Sequence, residues 1–258
     1  MEQPVPFTNF RIGNIGQKYG GLVGVLLLLA SCAAAPVAQG INDPFESANR
    51  GVHSFNLAAD TYAVRPVAKV YGAVLPNPVK TSVNNFANNL DGPGDVLNNI
   101  LQGRIGNAGQ NTLRFVVNTT MGVAGLFDAA TAIGIPEAHT DFGETLHVWG
   151  ASEGAYVELP LLGPSTVRDA SGRVVDALIN PMRFVLEQPE STYSTAANIG
   201  SKLGDRSRFL DTFDSILYDS ADGYAQARLL YLEKRRFRLG QTAADTPFED
   251  PYEDPYAK

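Results

Sequence analysis

From Phe45 onward the chain repeats apolar residues at helical spacing, yet no stretch stays apolar long enough to cross a bilayer. Phe45, Ala48, Val52, Phe55, Ala59 and Tyr62 recur at intervals of three and four, which marks one stripe of an amphipathic helix. Asp43-Pro44-Phe45-Glu46 reads as its start: a capping residue, a proline at the first helical position, and a Glu three places after the cap. Pro66 restarts a shorter helix carrying Val67, Val70, Tyr71 and Val74, and Pro78 opens another with Val79, Val83, Phe86 and Leu90. Asp91-Gly92-Pro93-Gly94 predicts a break, before Val96, Leu97, Ile100 and Leu101 resume the pattern. Residues 104–120 are again helical, with Ile105, Ala108, Thr112, Phe115 and Val116 on one side. The Gly- and Ala-rich stretch 121–142 continues Phe115-Val116-Val117 almost without charge, but Asn118 and Asp128 interrupt the run, so a bent apolar hairpin fits better than a spanning helix. Only 155–162 (AYVELPLL) reads as a strand, and helices resume near 166–179, 191–203, 206–219 and 221–239. The class is therefore all-α, with at most one short strand or hairpin.

The single cysteine is the most informative residue. Cys32 closes Leu29-Ala30-Ser31-Cys32, directly after the apolar run Leu22–Leu28, with Arg11 and Lys18 ahead of it. A basic segment, a short apolar segment and small residues before a cut make a secretory signal over 1–31. The four residues ending at Cys32 resemble a bacterial lipobox, which implies acylation of the sulfur and of the new amine. One buried chain anchors only marginally, at roughly 0.8 kcal/mol per CH₂, whereas three hold firmly. Ala33 rather than Asp follows the cysteine, which favours the outer membrane as destination. Residues 32–41 then form the acylated cysteine and a flexible tether, 42–240 a helical body, and 241–258, with EDPY twice, a disordered acidic tail.

Charge and motifs exclude several functions. A net charge of −7 with scattered cations argues against nucleic acid as a partner. The one basic run, Lys234, Arg235, Arg236 and Arg238, falls in the last turns of a helix, where cations complement the dipole. There is no phosphate-binding loop, dinucleotide fingerprint or HExxH, and Ser165 lacks a nucleophile elbow. His53, His139 and His147 are too dispersed along the chain to suggest a metal site. No enzyme activity, cofactor or metal is expected.

NDPFESANR (42–50), FN (55–56), RPVAKVY (65–71), VNNFANNL (83–90), LQG (101–103), RFVVNTTMGVAGLFD (114–128), DFGETL (141–146) and LPLLGPSTVRDASG (159–172) follow one another in order. Together they closely resemble the MlaA (VacJ) family of outer-membrane lipoproteins, over roughly residues 42–240. The resemblance implies a ring-like bundle of amphipathic helices around a central channel, lodged in the inner leaflet beside a trimeric porin. It further implies that phospholipids misplaced in the outer leaflet pass through the channel to a periplasmic lipid-carrier protein, which maintains lipid asymmetry. Asn118, Gly122, Gly125 and Gly150 become candidates for lining the channel or for the mobile loop beside it. GASEGA at 150–155 departs from the Gly-rich run common there, and His53-Ser54 replaces the usual Tyr-Asn. The alternative is a structural, porin-associated scaffold lipoprotein that passes no lipid.

Overall fold

The computed structural model describes residues 41–186 and 190–241, so Cys32, nearly all of the tether and nearly all of the acidic tail lie outside the described residues. The elements in chain order are α1 (Glu46–Ala59), a π-helical turn (Asp60–Val64), α2 (Arg65–Val74), α3 (Asn77–Leu101) and α4 (Ile105–Thr120). The short α5 (Ala129–Ala132) and α6 (Phe142–Val148) lead to a hairpin of β1 (Tyr156–Leu159) and β2 (Gly163–Thr166). Then come α7 (Val167–Ile179), the one-turn α8 (Met182–Val185), α9 (Glu190–Arg208), α10 (Leu210–Leu217) and α11 (Gly223–Arg238).

Neighbouring elements touch in a closed circuit: α1, the π turn, α2, α9, α3, α6, α7, β1 and back to α1. The bundle is thus all-α and ring-like, with one two-stranded antiparallel sheet paired from Tyr156↔Thr166 to Leu159↔Gly163. Outside the circuit, α4 packs along α3, while α11 joins α10 to β2.

Polarity is inverted relative to an ordinary water-soluble domain. Among the described residues, the buried hydrophobic side chains are mostly alanine, with Leu90, Tyr156, Tyr224 and Leu232, whereas Asn, Asp, Glu and Arg dominate the buried set. On α1 the buried residues are Asn49 and His53, while Phe45, Phe55 and Tyr62 of the apolar stripe stay exposed, Tyr62 by 84%. On α4 the inward positions are Ala108, Asn111, Arg114 and Asn118, and Ile105, Leu113 and Val116 face out. Periodicity located the apolar faces, but not the medium that they face.

Three local expectations are corrected. Asp43 does not cap α1; Phe45 holds that position without a side-chain bond. The Asp43 carboxylate instead accepts from Asn49 Nδ2 (2.9 Å), from the Tyr224 hydroxyl and from Arg228, so a long-range charge pair outcompetes the local cap. The helix is not restarted at Pro66 but runs on through the π turn, whose wider i to i+5 bonding accommodates a proline that has no N–H to donate. Asp91-Gly92-Pro93-Gly94 is not a break either, since α3 continues across Pro93. There Gly92 lies against Phe115 of α4, and Asn98 and Asn99 donate to the carbonyls of Gly94 and Asp95 at 3.2 and 2.9 Å. Tertiary packing overrides the breaker. The expected strand, for its part, is a hairpin whose second half comes from Gly163-Pro164-Ser165-Thr166.

Ion pairs bind the last helix to the rest. Arg235, 6% exposed, donates to both Asp141 oxygens at 2.7 Å and to Asp169 at 3.0 Å, joining α11 to the start of α6 and to α7. The basic run of α11 thus serves as a set of tertiary anchors, with Arg236 held by Glu153 at 2.9 and 3.1 Å. Removing one partner of a buried pair strands the others without compensation. Arg235→Ala is expected to destabilise the protein by about 3–5 kcal/mol in a denaturation series; a loss under about 1 kcal/mol would show that this cluster does not hold α11.

Candidate functional site

Two cavities flank α11. The first, of about 460 Å³, lies among α1, the π turn, the hairpin loop, α10 and α11, with a wall that includes Leu57, Val64, Leu161, Leu162, Phe213, Ile216, Leu217 and Leu230. Its polar edge is locked: Arg206 donates to Asp60 (2.8 and 3.0 Å) and Asp214 (2.7 Å), and Tyr218 donates to Asp60 (2.8 Å). The second, of about 350 Å³, is bounded by Asp141, Asp169, Arg173, Tyr231, Lys234, Arg235 and Arg238. Burial alone would raise the Asp141 carboxyl, but the hydrogen bonds and charge of Arg235 outweigh it and hold it low. Tyr231 and Lys234 line both cavities, and the Tyr231 hydroxyl donates to Asp169 at 2.6 Å. An apolar chamber therefore abuts a cationic one across two side chains of α11.

A third opening, of about 600 Å³, lies between α3 and the α8–α9 region, with Leu90, Asp91, Asn180, Met182 and Ile199 in its wall. Asp91 and Asp95 are one turn apart on α3. Burial first, and then the charge of Asp95, pushes the Asp91 carboxyl up to about 6.

The sequence-derived candidates separate into two places. Asn118, Gly122 and Gly125 converge where α4 ends. Asn118 Oδ1 accepts from Ala130 N at 2.8 Å, and Asn118 Nδ2 donates to Asp128 at 3.1 Å. A side chain on Gly122 would meet the Phe127 and Asn118 carbonyls at 2.2 and 2.4 Å, and Gly125 (φ +89°) lies against Asn89. Val123 and Ala124, at φ 54° and 57°, precede Gly125, so three successive residues are left-handed, an arrangement that strains the β-branched valine. Met121, Val123, Leu126 and Phe127 of this turn are exposed. Gly150 sits apart, at the end of α6, at φ +91° with open space where a Cβ would stand. Cys32 lies outside the described residues.

Sequence reasoning missed the cationic chamber. Its signal was present: Tyr231, Lys234, Arg235 and Arg238 fall at spacings of three, one and three, a single helical face. His139, not clustered in sequence with the other histidines, has acidic neighbours in the fold. His139 lies 3.0 Å from Asp95 Oδ1, and with Glu137 their ligand atoms come within 4.8 Å of one another. The hydrogen bond that the His139 ring donates to Asp95 raises the imidazole pKa, favouring its protonated form beside a buried carboxylate.

The fold is a helical ring that buries Asn, Asp, Glu and Arg and exposes many large apolar side chains, and no helix among the described residues is long and apolar enough to cross a membrane. Residues 41–238 match the model of the MlaA lipoprotein family. The chain is 34% identical over 220 residues to the intermembrane phospholipid transport system lipoprotein MlaA of Shigella flexneri, covering 83% of this chain and 85% of that one. The Escherichia coli K12 protein of that name is 33% identical over the same coverage, and an uncharacterized Rickettsia felis protein is 33% identical over 73% of this chain and 74% of its own. A chain solved in work on the structural basis for maintenance of bacterial outer membrane lipid asymmetry superposes with a TM-score of 0.66. It is 31% identical, over 76% of this chain and 98% of that one. This chain belongs to the MlaA lipoprotein family.

Two predictions follow from the geometry. Gly122→Ala is expected to cost about 1–3 kcal/mol through overpacking, and Gly150→Ala about 1 kcal/mol through backbone strain alone; thermal melts giving the reverse order would contradict this turn geometry. Because the folded Asp91 carboxyl binds its proton more tightly than in the unfolded chain, its contribution to stability falls as pH rises from about 4 to about 6. Asp91→Asn should therefore stabilise the protein at pH 7.5 by about 1 kcal/mol, with the gain vanishing near pH 4. Melting curves at both pH values check this.

Proposed function

We propose that this chain is an outer-membrane lipoprotein, anchored through acylated Cys32, that takes mislocalised phospholipids from the outer leaflet and passes them to a periplasmic lipid carrier. The observation that carries this reading is the inverted polarity. Many large Phe, Val, Leu and Ile side chains are exposed, some of them along the wall of the apolar cavity, whereas Asn, Asp, Glu and Arg dominate the buried set. Hydrocarbon can solvate the outside, while the buried polar groups find partners within. An apolar chamber of about 460 Å³ beside a cationic one of about 350 Å³ offers tails and headgroup separate surroundings in a single body. The relatives named as intermembrane phospholipid transport system lipoproteins support the same role. The strained, apolar turn at 121–127, with Asn118, Gly122 and Gly125, is proposed as the segment that meets lipid, Gly150 as a pivot after α6, and a trimeric porin as lateral neighbour.

The test is leaflet analysis in a strain lacking the gene. Phospholipid should accumulate in the outer leaflet, the wild-type gene should reverse this, and Cys32→Ser should not, because the unacylated protein is mislocalised. Recovery of Cys32→Ser in the outer membrane with normal asymmetry would refute the anchor. An unchanged leaflet with disturbed porin assembly would favour a scaffold over transfer.

A further inference from the structure

The chamber between α6, α7 and α11 carries more positive charge than its carboxylates neutralise. Four cations, Arg173, Lys234, Arg235 and Arg238, face two acids, Asp141 and Asp169. Both acids are already occupied: Arg235 binds the two of them, Asp169 also accepts from Tyr231 and Arg168, and Asp141 accepts from the Glu144 backbone N–H. Arg238 comes only to 3.9 Å from Asp141, and among the described residues Arg173 makes one hydrogen bond, at 3.5 Å to the Pro164 carbonyl. The Nε of buried Arg235, in the same wall, has no acceptor among the described residues. The excess of positive charge and the unused donor suit an anion.

The shared wall restricts what kind of anion suits it. Across Tyr231 and Lys234 lies the apolar cavity, so an occupant reaching both has a charged end and a hydrocarbon end. We propose that Arg173, Lys234 and Arg238 seat the phosphate of a phospholipid whose tails enter the neighbouring cavity, and that this seat favours anionic headgroups over zwitterionic ones. This deepens the lipid-transfer reading and rests on it. Guanidinium groups match phosphate oxygens with paired N–H donors, and the lysine adds a point charge. A zwitterionic head brings its own ammonium, which needs a carboxylate, and the two in reach each already accept three hydrogen bonds, arginine among the donors. A phosphatidylglycerol head brings glycerol hydroxyls instead, and its net negative charge stays uncompensated until it meets the cations.

The experiment uses the full-length acylated protein in detergent micelles at physiological salt. A fluorescent-acyl phosphatidylglycerol is displaced by unlabelled phosphatidylglycerol, by phosphatidylethanolamine of the same chains, or by inorganic phosphate. Each partly exposed charge contact is worth a factor of about two to five, so the expected preference for phosphatidylglycerol is about tenfold, weakening as salt rises. The exposed-residue variant R173Q/K234Q/R238Q should lose that preference and keep its circular dichroism spectrum. Equal displacement by the two lipids from wild-type protein would overturn the seat, leave lipid transfer standing, and require no variant that folds. Displacement by inorganic phosphate as effective as by lipid would make the chamber a site for free anions and overturn the lipid assignment. Failure of wild-type protein to bind the probe at all would count against the transfer reading itself.

Discussion

Buried arginine–carboxylate pairing is the interaction on which the rest of this architecture depends. Arg206 ties the π turn to α9 and α10 through Asp60 and Asp214, Arg228 ties α11 to Asp43, and Arg235 ties α11 to α6 and α7. Such pairs cost desolvation, and a well-packed apolar core would often serve as well in a water-soluble domain. Here the larger apolar side chains are committed to the outer surface. The interior is left with alanine, asparagine and charge. A few buried donors, such as the Nε of Arg228 and of Arg235, find no acceptor among the described residues, but side-chain hydrogen bonds and ion pairs hold the rest. Asn98 and Asn99 on α3 show the pattern: they join the helix to Asp176 and to the Ala138 carbonyl at 2.8 and 3.1 Å.

The same commitment explains how a ring can stay open to a ligand. An apolar interior would close on itself to expel water, whereas directional bonds fix distances between elements and tolerate a gap. The hairpin is one such fixed spacer. Asn49 donates to the Tyr156 carbonyl and accepts from Glu158 N, while Asn56 donates to the Leu159 carbonyl. α1 is thereby pinned along β1 without a large apolar contact, and the neighbouring cavity keeps its width. Tyr156, Tyr224 and Leu232 form a compact apolar cluster against this spacer.

Helix content and the positions of most helices were legible in the sequence, because the apolar stripes at 45–62 and 105–116 announce their period directly. The direction of those stripes was not. A hydrophobic face points toward whatever is apolar nearby, and periodicity alone does not separate a protein core from a lipid tail. Proline and glycine at 91–94 misled for a different reason: local breakers were weighed without the partner helix that holds α3 straight past them. Of the candidates named from the family resemblance, the structure brings Asn118, Gly122 and Gly125 to one turn, where a Cβ on Gly122 would strike two carbonyls, and leaves Gly150 apart. The cationic face of α11 was in plain view, but a helix-end explanation was sufficient for it, and the acids it meets lie 62 to 94 residues earlier.

Asp43, near the start of the described residues, is gripped by Tyr224 and Arg228, 181 and 185 positions further on. The first and last helices therefore complete one another, and no intermediate length of chain can present that joint. Contacts of such long separation form slowly, so closing this joint is a late demand on the chain. A chain cut short before Tyr224 would leave the Asp43 carboxylate without the hydroxyl and the guanidinium that hold it.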